Sequence, residues 1–147
     1  MQSGVLVTFT VLGLVILAGN AHANEQLAVQ AMERGDFSTA LHHWQAQAAG
    51  GDSTARYNTA ILLLEDAAPT RDPELALDWL QRAAADSSVD ALFALGWLYA
   101  EGRHVSRDDE RAAGLYRNAA AQGHAGAQFN LAMLYHTRRV AGSDRDT

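Results

Sequence analysis

Apolar and small residues recur at helical spacing along most of the chain, in pairs of segments that polar turns separate. When the sequence is shifted by 36 residues, the same residue types coincide at many positions. The matching sets are Ala55, Ala91 and Ala127; Tyr57, Phe93 and Phe129; Ala60, Gly96 and Ala132; Asp36, Asp72 and Asp108; and Trp44, Leu80 and Tyr116. A period of this length predicts a helix-turn-helix unit that buries its apolar face by stacking on its neighbours.

The repeat also predicts where the helices lie. An opening unit spans 25–51, with a tight turn in which Gly35 takes a positive φ and Asp36 caps the following helix. The second unit pairs a helix near 54–65 with one near 73–85, and the third runs over 91–123. A last helix near 127–137 is expected to remain unpaired.

The third unit carries the most detailed motif. Its residues follow Ala-x3-Leu-Gly-x2-Tyr over 91–99, Gly-x-x-Val over 102–105 and Asp-x3-Ala over 108–112, then an aromatic residue, an Ala-Ala pair and a glycine. This pattern resembles the Sel-one-like repeat, a relative of the tetratricopeptide repeat, and the resemblance extends over about 25–136. It implies an all-α, right-handed superhelical solenoid of about three helix-turn-helix repeats plus a final unpaired helix. It also implies roles in scaffolding, envelope or exopolysaccharide regulation, or host interaction.

In such superhelices the first helix of each pair lines the concave side. Helical spacing on these helices selects an aromatic and aliphatic ladder with a polar edge, which predicts a groove for an extended peptide or a partner helix. Its members are Tyr57, Ile61 and Glu65; Phe93, Trp97 and Glu101; and Phe129, Met133 and His136. Ile61, Trp97 and Met133 are the strongest candidates for exposed contacts. The alternative is that the three aromatic residues at the first positions pack against the second helix of their own unit.

Composition limits the classes of partner. The chain has 147 residues, of which 48% are hydrophobic and 19% charged, as expected for one soluble, core-forming domain. Its 17 acidic and 11 basic residues give a net charge of -6, and every basic residue is arginine. An acidic chain without a basic stripe argues against binding to nucleic acid or to an anionic membrane surface. The absence of cysteine excludes a disulfide framework and a thiolate metal site.

The first residues have the features of an export signal. Residues 1–23 lack charged side chains, an apolar stretch covers 5–18, and Ala21 and Ala23 stand three residues and one residue before a predicted cleavage. Cleavage after Ala23 would leave the repeat domain over 24–137 and a polar tail over 138–147, in the periplasm or outside the cell. An uncleaved anchor is the alternative, although a membrane span needs about 20 apolar residues.

Catalysis has little support in the sequence. There is no Gly-x-Ser-x-Gly and no His-Glu-x-x-His, and without lysine a Ser-x-x-Lys motif is impossible. The six histidines show no metal-binding spacing, so we expect no metal site and no cofactor. The protein is predicted not to be an enzyme. The alternative is a cell-wall-directed enzyme of the kind associated with cysteine-rich relatives, whose cysteines this chain lacks.

The last predicted helix keeps an apolar side that includes Phe129, Leu131 and Met133. Repeat arrays normally end in a helix with a polar outer face. The sequence therefore predicts either self-association through this helix or a non-functional fragment of a longer repeat protein.

Overall fold

The computed structural model describes residues 23–137, and these residues form seven α-helices and no strand. In chain order they are α1 (Ala23–Glu33), α2 (Phe37–Ala49), α3 (Ser53–Leu64), α4 (Pro73–Ala85), α5 (Val89–Glu101), α6 (Asp109–Ala121) and α7 (Ala125–His136). The helices predicted near 54–65 and 73–85 are confirmed to within one residue, and the last helix begins two residues earlier than predicted. The predicted signal segment, apart from Ala23, and the tail at 138–147 lie outside the described residues. Within 23–137, every helix falls short of the length and apolar character that a membrane crossing requires.

The chain divides between residues 83 and 84 into two compact units. Within the described residues, the first unit holds α1 to α3 and most of α4, and the second holds α5 to α7.

The core of the first unit is built from small residues around one large ring. Trp44 on α2 is buried, and alanines on α1 and α2 that are fully buried let the two helices approach closely. The core cluster consists of Ala28, Ala31, Met32, Ala40, Trp44, Ala48, Ala55 and Leu62. The turn between the two helices is as predicted: Gly35 has a φ of +73°, and the Asp36 carboxylate accepts a hydrogen bond from the Thr39 N–H at 3.1 Å.

The two long loops close in the same way although their sequences differ. In the first unit the Asp72 N–H donates to the Leu63 carbonyl at 2.9 Å, which brings the start of α4 back to the end of α3. At the equivalent positions of the second unit, the Asp108 N–H donates to the Tyr99 carbonyl at 3.0 Å. The Gly-x-x-Val motif, which the first of these loops lacks, is therefore not required for this closure.

The core of the second unit is centred on Tyr116 of α6, which is buried against α5. A Cβ atom on Gly96 would lie 2.7 Å from Tyr116 Cε1, so the ring occupies the space that any larger residue on α5 would need. The surrounding cluster consists of Leu92, Tyr99, Ala100, Ala112, Ala113, Tyr116, Ala119, Ala127 and Leu134. Small residues on α5 and α6 thus set the helix separation, and aromatic rings fill the space beside them.

Candidate interaction surface

The predicted contact residues of the first unit are enclosed. Tyr57 and Ile61 on α3 are each 2% exposed, and Glu65, which follows the helix, is 7% exposed. These side chains offer no free surface to a partner in this arrangement. The expectation that Ile61 is an exposed contact was therefore wrong.

The reason for this burial lies in the composition of α3. A helix with an apolar stripe turns one side to the core, whereas a helix that is apolar all round is buried all round. Helix α3 carries Ile61, Leu62, Leu63 and Leu64 in one run, so its apolar residues point in every direction, and all four are buried. Helical spacing predicted one functional face, whereas every residue of this helix from Tyr57 to Leu64 is buried.

The contact residues on α5 begin with an aromatic ring that has a structural role. Phe93 is half-buried, and its ring lies 5.8 Å from that of Tyr116 and stacks on that of His124 at 4.4 Å. The alternative interpretation, in which this position packs against the second helix of its own unit, holds for Phe93. Phe93 therefore links α5, α6 and the start of α7.

One turn further along α5, Trp97 is only half-buried and belongs to a more polar environment. The Arg103 guanidinium lies 5.7 Å from the centre of the Trp97 ring, and Glu101 is exposed at the end of the helix. In the loop that follows, Arg107 donates to both carboxylate oxygens of Asp109, at 3.1 and 3.0 Å, and this hydrogen bonding raises the pKa of Arg107. The end of α5 thus presents an aromatic ring beside charges of both signs.

The contact residues on α7 are the most accessible of the predicted set. Phe129 is 66% exposed and Met133 is 43% exposed, and His136, about one turn after Met133, is also exposed. The opposite side of the helix is anchored, because Ala127 and Leu134 are buried in the core cluster. Large apolar side chains are therefore held in solvent by a helix that is itself fixed.

Hydrogen bonds between α6 and α7 add to this anchoring. The Asn130 amide donates to the Tyr116 hydroxyl at 3.3 Å, and the Arg117 guanidinium donates to the Tyr135 hydroxyl at 2.8 Å. These bonds fix the position of α7 without covering Phe129.

Contacts also place α5 and α7 side by side at one point. A Cβ atom on Gly126 would lie 3.3 Å from the Phe93 ring, so the start of α7 lies against the middle of α5. Trp97 and Phe129 each lie about one turn beyond this contact on their own helices. We call Trp97, Phe129 and Met133 the apolar surface of the second unit.

From the sequence alone, no role was predicted for His124. Its Nδ1 atom accepts a hydrogen bond from the Ala127 N–H at 3.0 Å and so caps α7, while the ring stacks on Phe93. The signal was present in the repeat, since Asp52 and Ser88 cap α3 and α5 at the same 36-residue spacing. The 36-residue repeat aligns His124 with these capping residues and therefore predicts that His124 is a cap as well.

Within the part of the chain that the structure describes, the acidic and histidine residues do not gather into a metal site. Among residues 23–137, no three of these side chains are placed together so that they could hold a metal ion. Trp97, Phe129 and Met133 instead offer large apolar side chains suited to contact by packing.

Comparison with known proteins places the chain in a family. A Sel1 repeat family model matches residues 53–88, 89–124 and 125–147. An SLR-fold protective antigen present in uropathogenic Escherichia coli strains is 31% identical and aligns over 67% of this chain and 21% of its own, with a TM-score of 0.64. A Sel1 repeat protein from Oxalobacter formigenes is 24% identical and aligns over 78% of this chain and 46% of its own, with a TM-score of 0.67. None of the curated proteins matches this chain.

The chain therefore spans less than half of the length of either solved protein. Each matched copy begins directly after a helix cap, because Asp52, Ser88 and His124 immediately precede the three copies. The predicted all-α solenoid of Sel-one-like helix-turn-helix repeats is confirmed by these likenesses. This chain belongs to the Sel1 repeat family.

Proposed function

We propose that this protein is an interaction module that binds a partner protein through the apolar surface of its second unit. Sel1 repeat proteins generally act in protein–protein interaction, and the fold typically serves as a non-enzymatic scaffold. The observation that carries the proposal is the exposure of Phe129 and Met133 on a helix whose other side is anchored.

The chemistry of the surface favours a partner with its own apolar anchor. Aromatic residues and methionine are enriched at binding surfaces, because they offer large contact areas and methionine adapts its shape. Glu101 and Arg103 stand beside Trp97 and would hydrogen-bond polar groups at the rim of the contact. An extended peptide or an amphipathic helix with one or two large apolar side chains meets these requirements.

Export belongs to the same proposal. The charge-free apolar segment at 1–23 and the small residues at Ala21 and Ala23 support secretion to the periplasm or beyond. Intact-mass measurement of the protein recovered from its producing cell tests this directly. A chain that begins at Asn24 supports cleavage, whereas the full mass in a membrane fraction would support the uncleaved anchor.

The binding surface is tested by affinity capture from an envelope extract with purified protein as bait. A partner captured by the wild-type chain should be lost with the Trp97→Ala/Met133→Ala variant. Leu27→Ala is the matched control, because Leu27 is 44% exposed on α1 in the other unit. The captured partner is then purified and titrated, and we expect at least a tenfold weaker Kd for the double variant.

Circular dichroism must show the same helicity for every bait, so that a loss of binding cannot be caused by unfolding of the variant. Equal affinity of the wild-type and double-variant chains for the purified partner would refute the assignment of the surface. A stronger effect of Leu27→Ala would move the site to the first unit.

A further inference from the structure

A small cavity lies inside the first unit, between α1, α2 and the beginning of α3. Its volume is about 10 Å³, which is enough for one water molecule. Polar residues make up most of its wall, which consists of Glu25 on α1, Trp44 and Gln47 on α2, and Asp52, Thr54, Ala55 and Asn58 at and after the cap of α3. The cavity belongs to the first unit alone, so its occupant does not depend on the proposed function of the second.

Three residues of this wall carry a buried polar atom that has no hydrogen-bond partner among residues 23–137. These atoms are the carboxylate oxygen Oε1 of Glu25, the indole nitrogen Nε1 of Trp44 and the amide nitrogen Nε2 of Gln47. Trp44 is only 1% exposed, so its N–H does not reach bulk solvent. An unpaired buried polar group costs free energy, and such groups are therefore almost always hydrogen-bonded. A molecule in the cavity that pairs with all three atoms removes this cost.

The chemistry of the wall limits what the cavity can hold. The indole of Trp44 and the amide nitrogen of Gln47 are hydrogen-bond donors, whereas the Glu25 carboxylate is an acceptor. Two N–H donors disfavour a metal cation, and the carboxylates of Glu25 and Asp52 disfavour an anion. A water molecule both accepts and donates hydrogen bonds, and buried waters typically make about three. Water therefore fits the size of the cavity and its mixture of donors and acceptor.

The second unit joins the equivalent residues directly. Tyr116 and Asn130 stand two repeats after Trp44 and Asn58, and the Asn130 amide donates to the Tyr116 hydroxyl at 3.3 Å. An indole N–H donates but cannot accept, so Trp44 cannot receive this hydrogen bond from an asparagine amide. Trp44 and Asn58 instead line the cavity together.

We propose that this cavity binds one water molecule as a permanent part of the fold. The water accepts hydrogen bonds from Trp44 Nε1 and Gln47 Nε2 and donates one to Glu25 Oε1, and it thereby ties α1 to α2. It supplies in the first unit the polar link that Tyr116 and Asn130 make directly in the second.

Nuclear magnetic resonance of the full chain tests this proposal, with the Trp44 indole proton as the probe. The chain has three tryptophans, and Trp79→Phe and Trp97→Phe variants identify their indole signals. A rotating-frame Overhauser experiment on isotope-labelled protein should show a cross peak between the Trp44 indole proton and water, with the sign of direct contact and not of chemical exchange. The cross peak should remain in Thr54→Val, which removes a hydroxyl that could relay the water signal.

Two substitutions change the polar wall of the cavity. Glu25→Gln keeps an acceptor oxygen, so the cross peak should persist. Gln47→Leu removes a donor and fills its place with an apolar side chain, so the cross peak should disappear. The urea midpoint should fall as well, because Trp44 and Glu25 are left unpaired. Gln45→Leu is the matched control on the same helix, since Gln45 lies outside the cavity wall; it should keep the cross peak and should not lower the midpoint.

Three results would overturn the proposal. The first is a Trp44 indole proton that shows no direct cross peak to water. The second is loss of the cross peak in Thr54→Val, which would assign the signal to the hydroxyl. The third is a cross peak that survives in Gln47→Leu, which would place the water elsewhere. Circular dichroism establishes that each variant is folded, and Gln47→Met, which has a side chain of similar length, replaces Gln47→Leu if the latter does not fold.

Discussion

The contact between Gly96 and Tyr116 makes a quantitative prediction about stability. Replacing glycine by alanine inside a helix normally stabilises it by about 0.5–1 kcal/mol, because the unfolded chain loses freedom. At Gly96, however, the new Cβ would lie 2.7 Å from Cε1 and 2.8 Å from Cδ1 of Tyr116. Tyr116 is buried and its hydroxyl accepts a hydrogen bond from Asn130, so the ring has little room to withdraw. Overpacking of this kind costs about 1–3 kcal/mol.

Gly114→Ala supplies the matched control, because a Cβ atom on Gly114 of α6 meets nothing within 4 Å. This variant should be more stable than the wild type by about 0.5–1 kcal/mol. Gly96→Ala should be less stable by roughly 1 kcal/mol, since the strain exceeds the gain in helix propensity. The difference between the two variants cancels the propensity contribution and measures the strain, about 1–3 kcal/mol.

The assay is urea denaturation followed by far-ultraviolet circular dichroism, with midpoints compared at a common slope. The two compact units require a check that unfolding is a single transition before free energies are derived. Combining Gly96→Ala with Tyr116→Leu should recover part of the lost stability, because it recreates the alanine and leucine found at these positions of the first unit. If Gly96→Ala stabilised the protein as much as Gly114→Ala, the close-packing argument would be refuted.

Two further predictions concern helix caps. His124→Ala should lower the free energy of unfolding by about 1–2 kcal/mol, because both the cap and the ring stacking are lost. His124→Asn should recover the contribution of the cap. Equal losses in the two variants would show that His124 does not act through its acceptor atom. Hydrogen bonds from Thr39 hold the pKa of Asp36 below its ordinary value. The ionised carboxylate therefore stabilises the fold at pH values above the pKa of Asp36 in the unfolded state. This contribution disappears as the pH falls through the pKa of Asp36 in the folded state. Asp36→Asn should therefore flatten the acid side of the stability profile, and an unchanged profile would contradict this.

The 36-residue register predicted most of the fold because it depends on local chemistry. Caps, turns and the spacing of small residues are fixed by neighbours in sequence, so the bounds of α3 and α4 and the Asp36 cap followed directly from it. The burial of Tyr57 and Ile61 could not be predicted from the register. Helical spacing assigns the same face to every repeat, whereas burial depends on what surrounds each helix in three dimensions. The apolar run at 61–64 does not set α3 apart, since α5 is at least as apolar and leaves Phe93 and Trp97 half-buried.

Three residues at one register position show why the site could be predicted only in part. Tyr57 is buried, Phe93 is held between the rings of Tyr116 and His124, and Phe129 is largely exposed. The side chain is aromatic in all three cases, so its chemistry does not decide its role. The role is decided by the element that covers the side chain. Helix α6 brings Tyr116 against Phe93, whereas no equivalent ring lies against Phe129 within residues 23–137. In this repeat protein the same register position serves the core where other side chains pack against it and remains exposed on α7, which is why the proposed contacts concentrate on α7.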